Sequence, residues 1–436
     1  GDVYKRQTYL KKLKDMSDET GEPSVILGFK HPFQEPEQPI VEETDIKEAD
    51  AAIYVLARNS GEGKDRRAEK GDYYLSDREL QNIRFMTENY SNCVVLLNTG
   101  GVIDLTELRK ISGVQAILLT GQTGNMGGHA VADVLMAKTV PSGKLTDTWA
   151  RSYDDYPSSR TFSYRDDNLD DEYYSDGIYV GYRYFDTFGI MPLYCFGYGK
   201  GYTDFSLVTK EVTADEKLVK VEVEVTNIGK VYPGREVVQV YYSAPDGVME
   251  KPTQELAGFA KTKLLMPGEK EVVTVTFATE DMASYDANEI KVAGGGYILE
   301  AGEYTVSVRS DSHTVLDQAN FTVDSDINYS ENARTTDNVV ATNQLNDYTA
   351  GNVTYLSRAD GFANYAEATA APAEEAYVMD DATRKEVEAN STAYYDSTAY
   401  DNAEDTMPTL GSDNGLTLAD LTGKAYDDPM WDQLLD

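Results

Sequence analysis

The sequence predicts an α/β domain on a mainly parallel sheet with helices on both faces, then an antiparallel all-β sandwich, then an extended acidic tail. Three observations carry this. Short apolar runs alternate with helix-patterned segments up to residue 206. From 207 the pattern becomes strict alternation of apolar and polar residues, one face wet. From 326 the apolar runs shorten, and residues 326–436 carry 22 acidic side chains against 5 basic ones.

The elements follow in order. Residues 1–45 open with "GDVYKRQTYLKKLKDM", basic and helix-like, without an initiator Met, and continue into a loop rich in Pro and Glu. This reads as a truncated N-terminal segment, so the lack of a visible signal peptide carries no weight. Within 46–206, "AAIYVLA" (51–57), "CVVLLN" (93–98) and "VQAILLTG" (114–121) read as buried strands. "LSDRELQNIRFMTENY" (75–90) reads as a helix. Ser76 and Glu79 have capping-box spacing, and Leu75 with Leu80 suits a hydrophobic staple. "GGHAVADVLMAK" (127–138) is a second helix, with Val131, Val134 and Leu135 on one side. Within 207–325, "KLVKVEVEVTNIG" places Val219, Val221, Val223 and Val225 on one face against Lys220, Glu222 and Glu224 on the other. "REVVQVYYSAP", "KEVVTVTFA" and "GEYTVSVRS" repeat the pattern with Pro and Gly turns between them. Residues 326–436 read as an acidic linker that ends in a new helix, with Asp428-Pro429 at its start.

Composition narrows function. A chain of 436 residues is too long for one ordinary domain. A net charge of −36 repels phosphate backbones and anionic membranes but not neutral molecules such as sugars. No run approaches the ~20 apolar residues of a membrane span. Cys93 and Cys195 read as two buried thiols, not a disulfide framework, and point to the cytoplasm. His31, His129 and His313 are scattered, so no metal centre is expected, and no cofactor is implied.

One stretch carries chemistry. "NSGEGKDR" (59–66) follows the first strand at its carboxyl end, where open parallel sheets bind ligands. Gly61 and Gly63 let the backbone turn sharply and approach a ligand. Glu62 between them would project into a crevice, with Asp65 and Arg66 pairing to brace the loop. Such a carboxylate suits proton transfer. On spacing alone a surface loop carries the same Gly-Glu-Gly, and both readings stand.

Other signals favour plain structure. "GQTGNMGG" (121–128) and "PSGKLT" lack the spacing of a phosphate loop and read as tight turns. "DDNLDDEYY" (166–174) lacks calcium-loop spacing. The tyrosines of "YYSDGIYVGYRYF" suit packing and domain docking as well as sugar stacking. Asp104 and Glu107 read as surface acids near a loop.

"ARNSGEGKDRRAEKGDYYLSDREL" closely resembles the loop and following helix in the second domain of glycoside hydrolase family 3, the β-glucosidase-like enzymes. "VVLLNTGGVIDL", "ADVLMAKTVPSGKLTDTWARSYDDYP", "GIYVGYRYFDTFG" and "FGYGKGYTDF" continue the resemblance through the α/β sandwich. "GREVVQVYYSAP", "KPTQELAGFAKTKLLMPGE" and "AGEYTVSVRSDS" resemble the family's fibronectin type III-like domain. Coverage is roughly residues 45–315. Two departures are "GQTGNMGGHAVADVL", which lacks a Glu common in that turn, and Lys200-Gly201, where Leu-Ser is commoner.

The resemblance implies a retaining, exo-acting glycosidase that removes terminal β-linked sugars. An Asp nucleophile would sit on a (β/α)8 barrel, and Glu62 would serve as acid/base, supported by Ser60, Gly61, Gly63, Asp65 and Arg66. No nucleophile is expected in this chain. The tail from "NVTYLSRADGFANYAEATAAP" resembles the approach to the barrel in a permuted subgroup, so the chain reads as the front part of such an enzyme. By itself it is expected to be inactive. Its expected partners are a β-linked glycoside and the barrel of the same protein. A non-catalytic carbohydrate-binding or scaffold protein is the alternative, and a nucleotide-binding domain is a third reading that rests on the glycine turns alone.

Overall fold

The computed structural model describes residues 48–58, 66–162, 174–329, 334, 335, 337 and 354–370, then 381, 382, 384, 385, 389, 415–425 and 427–435. The chain divides into two compact units, Gly1–Ala373 and Glu374–Asp436.

Strands β1 (Ala52–Ala57), β2 (Cys93–Asn98) and β3 (Val114–Leu119) form a parallel sheet in the order β1-β2-β3. Tyr54 lies opposite Val95 and Leu56 opposite Leu97. Helix α1 (Asp77–Asn89) makes the crossover from β1 to β2. Its start is the capping box that the spacing predicts. The Glu79 amide donates to Ser76 Oγ at 3.1 Å, and the Ser76 amide donates to Glu79 Oε2 at 2.7 Å. Leu75 and Leu80 are buried in one cluster with Tyr54, Leu56, Ile83, Val95, Leu97 and Trp149. That cluster is the core of this half.

Among the described residues α1 covers one face only, and Ile53 (47% exposed) and Val55 (50%) of β1 remain open on the other. Helix α2 (Gly127–Leu135) leaves Val131, Val134 and Leu135 only partly buried. It follows a tight turn in which Gly121 and Gly124 have φ of 61° and 69°.

The sandwich comes next. One sheet runs β10 (Val315–Val323), β9 (Gly302–Arg309), β6 (Val237–Ser243), β7 (Glu255–Lys261). The other runs β4 (Phe205–Ala214), β5 (Leu218–Asn227), β8 (Lys270–Ala278), all antiparallel. Val219, Val221, Val223 and Val225 are fully buried between the sheets with Val240, Leu265, Tyr304 and Val306. Period two therefore sorted core from surface correctly along β5.

The two halves are joined by buried polar contacts. Gln239 on β6 donates through Nε2 to the carbonyls of Gly197 (3.0 Å) and Ser310 (2.8 Å). A side chain at Gly197, whose φ is 79°, would collide with Gln239. The ring of Tyr182, in helix α3 (Tyr182–Thr187), stacks on Phe196, and its hydroxyl accepts from the Leu256 amide at 2.7 Å. Lys144 of the "PSGK" turn pairs with Glu236 at 2.8 Å. That lysine ties the two halves together.

Part of the acidic tail is folded, contrary to its reading as extended. Residues 354–370 dock on both the α/β half and the sandwich half. The Leu356 amide donates to the Ser175 carbonyl at 2.9 Å, and Leu356 and Ala368 are buried among Ala150, Tyr179, Tyr184 and Phe185. Ser357 donates to Glu250 at 2.9 Å, and Arg358 pairs with Asp246 at 2.7 Å. Spaced apolar residues here outweigh the acidic composition. In the second unit a helix runs Met430–Leu435, and Asp428 Oδ1 accepts from the Met430 amide at 3.0 Å, as the Asp-Pro pair predicts.

Candidate active site

Of the residues singled out in the sequence, Ser60, Gly61, Glu62, Gly63 and Asp65 lie outside the described residues. Arg66 and both margins of the loop lie within them. β1 ends at Ala57, and the Arg58 amide donates to the Asn98 carbonyl at 3.1 Å, which extends the β1–β2 ladder by one step. The stretch thus leaves from the carboxyl edge of a parallel sheet.

Asp72 gathers the two margins. Arg58 Nε donates to the Asp72 carbonyl at 2.6 Å. From the other margin Arg66 donates to Asp72 Oδ1 at 3.3 Å, and the Arg67 amide donates to Asp72 Oδ2 at 2.9 Å. Asp72 therefore pairs with Arg66. The proposed Asp65 to Arg66 brace involves a residue outside the described set.

Arg58 is fixed further by a buried, bidentate pair with Glu79, at 2.6 and 2.9 Å. Both side chains are almost fully buried. Glu79 thus serves twice: one carboxylate caps α1 and clamps the guanidinium at the start of the loop. Position 72 is next to Tyr73, whose carbonyl accepts from the Asp104 amide at 2.8 Å. Asp104 is itself buried, against the reading of a surface acid. Its Oδ1 accepts from the Thr106 amide at 2.9 Å, and this local turn removes it from solvent.

Sequence reasoning missed Arg58, Asp72 and Glu79 as anchors. The one available signal was the double duty of Glu79: its capping-box role was legible, its ion pair was not. The tyrosines at 179, 182 and 184 serve packing and docking. Burial raises the thiols of Cys93 and Cys195, the latter to about 11, so neither is poised as a nucleophile. Among the described residues no helix is long and apolar enough to cross a membrane.

Known proteins resemble both halves of the chain. The model of the glycosyl hydrolase family 3 C-terminal domain matches residues 4–182, and that of the fibronectin type III-like domain matches 236–312. Beta-glucosidase A of Butyrivibrio fibrisolvens is 41% identical over 296 residues, covering 59% of this chain and 35% of that protein. A beta-glucosidase of Ruminococcus albus is 38% identical over 278 residues, covering 64% and 29%. Beta-glucosidase 3B from Thermotoga neapolitana, solved in complex with alpha-D-glucose, superposes with a TM-score of 0.63 at 37% identity, covering 74% of this chain and 44% of that one. The chain spans about a third of the length of these curated relatives. Residues 4–182 are thus similar to the C-terminal domain of glycoside hydrolase family 3, and the fibronectin type III-like match follows them in the chain.

Proposed function

We propose that this chain supplies the acid/base loop of a retaining, exo-acting β-glucosidase-like hydrolase, with Glu62 as the proton donor and acceptor. Glu62 protonates the leaving glycosidic oxygen and then activates the water that releases the sugar from a carboxylate nucleophile. The nucleophile is an Asp of a barrel outside this chain, so the chain alone does not turn over substrate. The observation that supports this most directly is the convergence of Arg58, Arg66 and Arg67 on Asp72. It holds both margins of a glycine-rich loop at the sheet edge where ligands bind. The relatives named β-glucosidases support the substrate class.

The test uses a full-length protein that contains the barrel, assayed on aryl β-glucosides of graded leaving-group pKa. Glu62→Gln is expected to lower kcat/KM about 10²–10⁴-fold for poor leaving groups and much less for good ones. An unchanged rate with unchanged leaving-group dependence refutes the assignment.

A further inference from the structure

We propose that residues 354–370 are a positioning element for the Arg58–Asp72–Arg66 anchor, acting through an unbroken chain of aromatic rings. Phe362 and Tyr365 of the docked segment meet Phe188 at 4.8 and 5.6 Å between centroids. Phe188 meets Tyr184 at 5.0 Å, and Tyr184 meets Phe185 at 5.5 Å. Phe185 meets Tyr156 at 5.6 Å, Tyr156 meets Tyr153 at 6.1 Å, and Tyr153 meets Tyr73 at 5.0 Å. Tyr73 adjoins Asp72, on which the loop margins converge. Each spacing lies within the range of attractive ring pairs.

The intermediate rings have little freedom to absorb a displacement. The Tyr156 hydroxyl donates to the Thr148 carbonyl at 3.0 Å and accepts from the Ala150 amide at 3.2 Å. Tyr184 and Tyr365 share a hydroxyl contact of 2.7 Å, and Tyr184 and Phe185 are fully buried. Tyr153 opens a turn in which the Ser152 amide donates to Asp155 Oδ2 at 2.8 Å. At the far end, Asp360 and Phe362 hold left-handed backbone, φ 51° and 65°. A bulky residue keeps that conformation only where its surroundings impose it. Phe362 packs against Phe188 in that conformation. A docked, ordered segment thus joins a continuous packed path to the loop anchor, as physical coupling requires.

The consequence for catalysis rests on the reading of 59–65 as the acid-bearing loop, but the test does not. In the full chain, Phe362→Gly keeps the left-handed turn free of strain and removes one ring, and Tyr365→Leu removes the other. Phe362 is 37% exposed, so the fold survives its loss. Hydrogen exchange of the amides in 66–75 is expected to quicken about fivefold in the double variant, with those of α1 and β5 unchanged. In a Tyr153→Leu background, which breaks the chain midway, the same double variant is expected to add less than a factor of about two. Faster exchange at 354–370 with none at 66–75 overturns the proposal. So does a rise spread evenly over α1 and β5, or a full effect that persists in Tyr153→Leu. If the exchange result holds while Glu62→Gln is without effect on turnover, the coupling stands and the acid assignment falls.

Discussion

Glu79→Gln is the most informative single change for the loop anchor. The carboxylate holds the Arg58 guanidinium at 2.6 and 2.9 Å in a site where both side chains are almost fully buried. Glutamine keeps the shape and an acceptor for the Ser76 amide, so the cap of α1 survives in large part. What disappears is the countercharge. Breaking a buried pair costs about 3–5 kcal/mol, mostly for the charge left behind. Arg58 retains its bond to the Asp72 carbonyl, so the lower end, about 3 kcal/mol, is expected for Glu79→Gln. Glu79→Ala also loses the capping box, worth about 1 kcal/mol, and should fall near the upper end. Trp149 lies in the core cluster that α1 covers. Urea unfolding followed by its fluorescence, in a Trp431→Phe background, isolates this half. With a slope of about 1–3 kcal/mol per molar urea, the midpoint should drop by 1 M or more. A drop equivalent to less than about 1 kcal/mol means that water reaches the pair. That result, or an alanine variant no worse than the glutamine one, refutes the reasoning.

Three further changes test neighbouring features. Asp72→Ala releases the Arg66 and Arg67 margin but keeps the carbonyl that holds Arg58; global stability should fall only about 1 kcal/mol, while trypsin cleavage after Arg66 and Arg67 accelerates, and equal cleavage rates would count against the anchor. His313 is raised by its hydrogen bond to Asp186, with burial opposing and Asp311 adding to the rise; Arg309 also faces it and acts the other way. The contact therefore stabilises fully below the ordinary histidine pKa and fades as pH rises through the higher folded value, so the urea midpoint should fall between pH 6 and 8, and His313→Gln should flatten that fall. Asp176 is pushed up to about 6 by burial, and its Oδ1 is buried without a donor. Folding is thus penalised as pH rises from the ordinary carboxylate range through 6; Asp176→Asn should gain about 1 kcal/mol at pH 7, less than the full shift because the group is partly solvated, and nothing at pH 3.

Local rules were legible where the partners lie a few positions apart in the chain. Val219 to Val225 sorted by alternation because a sandwich strand has one dry face. Ser76 and Glu79 were legible because a capping box spans three positions. Long-range polar contacts were not, since nothing local ties Arg58 to Glu79 or three arginine-rich margin contacts to Asp72. Asp104 was misplaced because its acidity suggested solvent, although its own turn satisfies it. The docked segment at 354–370 was hidden by composition: Leu356, Phe362, Tyr365 and Ala368 are too sparse for a period yet sufficient to fill one groove.

The position of a catalytic carboxyl between two glycines poses a physical problem on the reading proposed for Glu62. Retaining chemistry needs its two carboxyl groups about 5–5.5 Å apart, and a site loosened by about an ångström loses much of its rate. A Gly-Glu-Gly backbone cannot hold that tolerance by itself, because glycine carries the largest backbone entropy. The constraint has to come from the margins. Asp72 supplies it economically, since one residue takes Arg58 through its carbonyl and Arg66 and Arg67 through its carboxylate. Arg58, Arg66 and Arg67, on either side of 59–65, are then fixed relative to one another. Loosening these margins should therefore impair every step that needs the acid in place, protonation of the leaving group and activation of water alike.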